Sequence, residues 1–281
     1  MSEWPSQNPR FSDDINNPPG SALAEFGRLL AGLALVFTLA TLVLIAVAGR
    51  LSPLIPFSWE VRLTEGLSLN EADEEATSAL EALGAALALH ADLDPEIELH
   101  FHLLDKSTPN AFATLGGHIM VTRGLINAVE SENGLAMVLA HEIAHIQQRD
   151  PIRQLGRGAV LSLAWALVTG STGQVGLERV LGTGGMLAML HYSRDTERQA
   201  DSLALDMLEA HYGHTMGAGQ FFESILELES PPEWGEFLRT HPLTDERLLR
   251  IATRQSSLGV QGDSIELRPL PVLLEEWADP E

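Results

Sequence analysis

Residues 131–151 read SENGLAMVLAHEIAHIQQRDP. Leu135, Val138, Leu139, Ile143 and Ile146 recur at helical spacing, and Asp150-Pro151 stops the run. Inside this helix His141 and His145 stand four residues apart, so both imidazoles project from one face. Zinc takes ligand nitrogens at ~2.0–2.1 Å, and two rings on one rigid element can meet a single ion. Glu142 follows the first ring directly, where it reaches a water at the metal without binding the metal itself. A pattern of three fixed positions arises by chance in a chain this long on the order of once in a hundred. The bland alternative is two histidines satisfied in a core beside a buried glutamate.

Two histidines leave a zinc site incomplete. The stretch Ser193-Arg194-Asp195-Thr196-Glu197-Arg198-Gln199-Ala200-Asp201 supplies a candidate third ligand. Ala200, Leu203, Ala204 and Leu208 mark the apolar side of a second helix, and Glu197 and Asp201 share a face. Glu197 fits a carboxylate ligand, and Asp201 fits a partner for the outer nitrogen of a ligand histidine. Standing alone, the segment would read as a surface helix with interleaved charges.

Upstream of the metal helix, Ile97 to Leu103 alternates apolar and polar residues, the period of a strand. Asn110 to Leu115 and His118 to Thr122 flank Gly116-Gly117, a hairpin signal. Leu69 to Leu89 reads as an amphipathic helix, and helical periodicity dominates from Ser131 to about Thr253. Further out, Leu29 to Gly49 is uncharged and bracketed by Arg28 and Arg50. As a helix at ~1.5 Å per residue it spans roughly 30 Å, the depth of a bilayer's hydrocarbon core. Ala46-Val47-Ala48 has the small residues of a signal cleavage site. The preceding region, however, is long and carries Asp13, Asp14 and Glu25, which argues for an uncleaved anchor. Gly158 to Val168 is apolar but short for a span, and is expected in a hydrophobic hairpin covering the cleft between the two metal helices, with a re-entrant or membrane-dipping segment as the alternative. The expected organisation is a flexible tail (1–28), a transmembrane anchor (29–49), a folded domain (60–255) and a loosely packed acidic tail (256–281).

Composition narrows the function. The net charge is −22 and Lys106 is the single lysine, so a phosphate backbone would be repelled and no nucleic-acid partner is expected. The chain has no cysteine, which excludes disulfides and cysteine-ligated zinc.

With these segments in order, the chain resembles the HtpX-like and CAAX-prenyl-protease-type zinc metallopeptidases, which include the mitochondrial Oma1 group. Asn110 through Gly117 with Val121 to Leu125 looks like the family's edge-strand hairpin. His141 to His145 resembles its metal motif, and Ser193-Arg194 with Glu197 and Asp201 its third-ligand helix. Thr240-His241-Pro242, with Arg247 six residues after the histidine, looks like its C-terminal His-Pro motif. The resemblance covers roughly residues 65–255. It implies an α+β, mostly helical, zincin-like metallopeptidase domain with a small antiparallel β-hairpin or sheet, beside the single N-terminal transmembrane helix. It also implies one Zn2+ per chain on His141, His145 and Glu197, with Glu142 as general base and Asp201 behind a ligand. His241 would lie over the site, as an oxyanion stabiliser or an occluding fourth ligand. Several spans are usual in the prenyl-protein and HtpX proteases, whereas one convincing span is visible here, which puts a prenylated-peptide substrate in doubt.

The function expected from these readings is a membrane-anchored zinc endopeptidase acting on unfolded or damaged membrane and envelope proteins. Polypeptide substrates would bind extended along Asn110, Ala111, Phe112, Ala113 and Thr114. The rival reading is a membrane-tethered chaperone or assembly factor using the same cleft without proteolysis. The expected location is a bacterial inner membrane, held by residues 29–49 in the lipid bilayer, with the catalytic domain in the periplasm. Arg10 and Arg28 before the span balance Arg50 and Arg62 after it. That side therefore rests on the free amino terminus, which adds slightly to a cytoplasmic tail, and on one anchor near the start being the usual way to export a large following domain. Nothing in the sequence sets an oligomeric state.

Overall fold

A computed structural model of the chain describes residues 21–65, 73–170, 192–220, 241, 245–257 and 265–279. The helix built on residues 131–147 organises them. This helix, α5 (Glu132–Gln147), starts where the Ser131 hydroxyl accepts the Gly134 N–H at 3.1 Å. It is buried on every side from Asn133 to Ile146. Leu135, Leu139 and Ile143 are fully enclosed, each worth about 1.5–3 kcal/mol over exposure.

Three layers enclose α5. On one side lies α3 (Glu74–Ala88), capped by Asp73 and contributing Ala76, Leu80, Leu83 and Leu87. On another lies a three-stranded sheet of β1 (His100–Leu104), β2 (Ala111–Ala113) and β3 (His118–Thr122) in the order β1-β3-β2. The hairpin of β2 and β3 is antiparallel, Phe112 facing Met120, whereas β1 joins β3 in parallel, so the sheet is mixed. The turn between β2 and β3 takes Gly116 and Gly117 to φ of 71° and 81°, where a side chain is disfavoured. A Cβ on Gly117 would also lie 1.9 Å from the Glu98 carbonyl oxygen. The third layer is α7 (Arg194–Tyr212), which makes the most extensive helix contact with α5. Alanines 140, 144, 200 and 204 are all fully buried. Small side chains let two helix axes approach closely.

The remaining helices are α1 (Ala22–Leu51), α2 (Phe57–Thr64), α4 (Arg123–Ala128), α6 (Asp150–Thr169) and α8 (Asp245–Ser257). The first of these is long and apolar enough to cross a membrane, and its span is not buried by the rest of the protein. The segment 158–168 forms one arm of the expected hairpin at most, since residues 171–191, where a second arm would fall, lie outside the described residues. It is the second half of one continuous α6, which packs along α1.

The C-terminal stretch also departs from expectation. Residues 272–278 form α9 (Val272–Ala278), which packs on α3 and α4 with Leu274, Trp277 and Ala278 in the core. The Asn127 amide donates to the Ala278 carbonyl at 3.1 Å, and the Arg123 guanidinium lies 4.7 Å from the Trp277 ring centre. The packed core therefore continues past residue 255. A seven-residue helix is too short for hydrophobic periodicity to announce it.

Candidate metal centre

The α5–α7 contact brings the two sequence motifs face to face. His141 Nε2 and His145 Nε2 lie 3.1 Å apart. Glu197 Oε2 is 3.4 Å from the former and Glu197 Oε1 is 3.5 Å from the latter. His241 adds its Nδ1 at 3.2 Å from His141 Nε2 and 3.1 Å from Glu197 Oε1. All four residues are buried, and their ligand-capable atoms lie within 4.8 Å of one another. Two atoms at ~2.0–2.1 Å from one tetrahedral ion are separated by ~3.3 Å. The shorter separations lie near that edge length and all fall within 4.8 Å, so the donor set fits zinc in chemistry and in size. Among the described residues it is the one such group.

Electrostatics point the same way. Burial would lower the pKa of both ring ligands, but neighbouring carboxylates outweigh it. Glu197 and Asp201 raise His141; Asp150 and Glu197 raise His145 to about 10. Burial would likewise raise the Glu197 carboxyl, yet His241 and His141 hold it well below the usual range. This cavity is built to hold positive charge.

Behind the cluster each donor is braced. Asp201 Oδ1 sits 3.0 Å from His141 Nδ1, and Asp150 Oδ2 sits 2.9 Å from His145 Nδ1. Such contacts fix ring orientation and tautomer. Arg247 on α8 donates to both Asp201 oxygens and to Glu197 Oε2, each at 2.8 Å. Burial would raise the Asp201 carboxyl; its bonds to His141 and Arg247 lower it instead.

Glu142 is fully buried, and its Oε2 accepts the Ala113 backbone N–H at 2.8 Å. Its Oε1 has no hydrogen-bond partner among the described residues and lies 3.5 Å from His241 Nε2. A buried carboxylate oxygen without a partner marks where another polar group belongs. Ala113 lies on β2, whose register pairs Phe112 with Met120 of β3. Thr114 donates to His118 and Thr122 to Asn110 across the same ladder. By alternation, the backbone groups of Ala111 and Ala113 point to the opposite edge. Among the described residues no strand pairs with that edge.

The geometry thus gathers His141, Glu142, His145, Glu197, Asp201 and His241 in one buried cluster, with Asn110 to Thr114 beside it. Thr240 and Pro242 of the His-Pro motif lie outside the described residues. Two further participants escaped the sequence reading. Asp150 was taken only as a helix stop, although an acid five residues after a ligand histidine was a usable signal. Tyr192 stacks on His145, ring centres 4.0 Å apart and nearly parallel, and its buried hydroxyl has no hydrogen-bond partner among the described residues. Burial, with the nearby Glu142, Asp150 and Glu197, pushes that hydroxyl's pKa well above its usual value. No sequence spacing links Tyr192 to His145, since the stacking is made by tertiary packing.

Known proteins are similar to this chain in sequence. The chain is 29% identical over 199 residues to the beta-barrel assembly-enhancing protease of Escherichia coli, covering 66% of this chain and 40% of that protein. It is 29% identical over 160 residues to the mitochondrial metalloendopeptidase OMA1 of Schizosaccharomyces pombe (56% of this chain, 46% of that one). A protease HtpX homolog of Desulfatibacillum aliphaticivorans matches at 29% over 198 residues (56% and 64%). The chain therefore spans less than half the length of the first two relatives. The model of peptidase family M48 matches residues 74–255, from the start of α3 to the end of α8. That match takes in both metal-facing helices, the hairpin and His241, and by it the chain belongs to peptidase family M48, the zinc metallopeptidases.

Proposed function

We propose that this membrane-associated metalloprotease is an endopeptidase for unfolded or damaged membrane and envelope proteins. His141, His145 and Glu197 hold its zinc, and Glu142 is its base. The carrying observation is the buried cluster of His141, His145, Glu197 and His241, whose ligand-capable atoms lie within 4.8 Å of one another. When bound, the zinc supplies Lewis-acid polarisation and lowers the pKa of a water toward ~7.

The rest is done by the chain. The Ala113 N–H steadies Glu142 through Oε2, leaving Oε1 to take a proton from the attacking water and pass it to the leaving amine. Asp150 and Asp201 orient the two rings. Substrate adds as a strand along Asn110 to Thr114, using the outward N–H and carbonyl of Ala111 and the carbonyl of Ala113, whose N–H is held by Glu142. Backbone pairing ignores side-chain identity, which suits unfolded polypeptides. His241 Nδ1 stands at the fourth corner of the cluster. That position supports the occluding role over the oxyanion role, so the imidazole has to swing aside before water and substrate enter.

A membrane-tethered holding protein would have no use for Glu142 aimed into the cluster. The Escherichia coli relative's own name associates that protein with β-barrel assembly, which supports envelope clients. Location in a bacterial inner membrane with residues 50–281 in the periplasm is supported by the apolar N-terminal helix, since a long domain after it can be exported largely regardless of its charge. Glu142→Gln tests the central reading. It should keep one zinc by elemental analysis and lose casein hydrolysis by at least ~10²-fold. Near-normal degradation would remove the peptidase assignment.

A further inference from the structure

α6 leaves the metal centre with its first residue, Asp150, bonded to His145, and then turns away from the catalytic core toward α1. The two helices meet through glycine. A Cβ on Gly156 would fall 2.1 Å from Ser52 Oγ, and one on Gly49 would fall 2.6 Å from Arg157 Nε. From that crossing α6 runs back along α1. On α1 the shielded positions recur as Phe37, Thr41, Ile45, Ala48 and Gly49; on α6 Gly158, Ser162 and Ala166 recur at helical spacing, with Ala159, Val160 and Ala164 also part-shielded. Both stripes follow the helical period, and the α6 stripe is made of small residues, as in helix pairs that pack inside membranes.

The opposite face of α6 has no protein partner among the described residues. Leu161, Leu163, Trp165, Leu167 and Val168 are 54–69% exposed. From Gly158 to Gly170 there is no charged residue. The one hydroxyl near the far end, Thr169, returns to the Trp165 carbonyl at 2.9 Å, as Thr38 and Thr41 of α1 return to Ala34 and Phe37. An aqueous helix of this length would carry a polar outer face. This one is apolar and lies against the apolar surface of α1, whose own outward residues include Leu33, Val36 and Val43 at 61–68% exposure.

Charge begins again at the foot of the pair. Arg50, Arg153 and Arg157 line a cavity of about 680 Å³ there, together with Asp150, Tyr192 and Thr196. Arginines at this level can lie among lipid headgroups while their stems run along the apolar surface. Asp150 and Tyr192 are the residues that touch His145.

We propose that residues 158–169 of α6 are embedded in the lipid bilayer beside α1, reaching about 18 Å into it. The catalytic domain is then held by a helix pair, and the cavity beside its metal centre opens at the membrane surface. The proposal rests on the reading of α1 as a membrane span, so the test includes α1. The cysteine-free chain allows single-cysteine variants without background. Nitroxide labels go on Leu163→Cys and Leu167→Cys of α6, Leu35→Cys of α1 and the exposed Leu249→Cys of α8. Each full-length variant, checked for normal zinc content, is reconstituted in phosphatidylcholine–phosphatidylglycerol vesicles. Collision of each label with oxygen and with nickel-EDDA is read by electron paramagnetic resonance. The expected result is high oxygen and low nickel accessibility at 163, 167 and 35, with the reverse at 249. High nickel accessibility at 163 and 167 while 35 stays in lipid overturns the embedding of α6 alone. Low accessibility to both reagents at 163 and 167 overturns it too, by showing protein on that face. High nickel accessibility at 35 would overturn the anchor and this proposal together.

Discussion

Two helix pairs meet at the Gln148–Arg149 corner, and they are built inside out relative to each other. In the α5–α7 pair, apolar residues face outward into a protein core while carboxylates and imidazoles face inward. In the α1–α6 pair the seam is small and quiet, and the apolar residues face away from the protein. Both use alanine or glycine to bring two backbones close. What differs is the surrounding medium: a folded core pays the first pair for its buried charge, whereas the second demands an apolar solvent outside.

The largest effect should come from removing charge balance inside the first pair. Arg247→Leu leaves Glu197 and Asp201 with one cation fewer among buried groups, and should destabilise the domain by ~3–5 kcal/mol in urea denaturation. A loss below ~1 kcal/mol would mean that the metal alone balances those carboxylates. The next comparison sets one residue type against itself. Leu139→Ala opens a cavity in α5 and should cost ~2–5 kcal/mol. Leu163→Ala on the outward face of α6 should stay within about ±0.5 kcal/mol. Equal losses would erase the distinction between the two pairs.

Asp150→Asn probes the joint between them. It keeps the size of the side chain but removes the charge that holds the His145 ring, and should weaken zinc affinity ~10–100-fold in competition with a chelator. An unchanged affinity would leave Asp150 a helix-starting residue only. The smallest effect concerns His118 on β3, well away from both pairs. Burial, then the neighbouring His102 and His100, lowers its pKa from 6.5 to about 4. The unfolded chain therefore takes up a proton there first, so stability falls as pH drops from about 6.5 toward 4 and is complete above that window. His118→Gln should flatten that part of the stability profile, and an unchanged slope would assign it to other groups.

Much of the first pair was legible because its chemistry obeys helical arithmetic. His141 with His145, and Glu197 with Asp201, announce themselves by a spacing of four. The Gly116-Gly117 turn announces the hairpin by the backbone angles it requires. Contacts made across the fold were harder. Tyr192 reaches His145 only through packing, and Asp150 was masked by its more familiar role before a proline. The second pair was half legible. The length of α1 signalled a span, but residues 158–168 are too few to signal anything alone, and their meaning comes from lying against α1. The short α9 lacked enough turns to show a period, although Leu274 and Trp277 are core residues.

Membrane side is open to the same kind of test. Arg153 and Arg157 stand near Arg50 at the foot of the α1–α6 pair, and this positive charge on the domain side weighs against the proposed periplasmic side. A carboxy-terminal alkaline phosphatase fusion should be active for a periplasmic domain. An inactive phosphatase with a fluorescent cytoplasmic fusion would reverse the assignment.

The corner itself constrains how this chain can vary in length. Arg149 is the single non-glycine described residue with positive φ, 59°, and its guanidinium is tied to Glu60 at 2.6 Å and to the Ile55 carbonyl at 2.8 Å. One residue inserted between His145 and Asp150 would put α6 out of phase with α5, since even within a helix each residue turns the chain by ~100°. That single turn of phase would carry Asp150 off the His145 ring and swing the small-residue seam away from α1. Insertions after α3, in the exposed stretch around residues 92–96, would meet no such lock. The tolerated positions for added length should therefore avoid 146–150 altogether, making this corner the place where the two halves of the molecule keep time with each other.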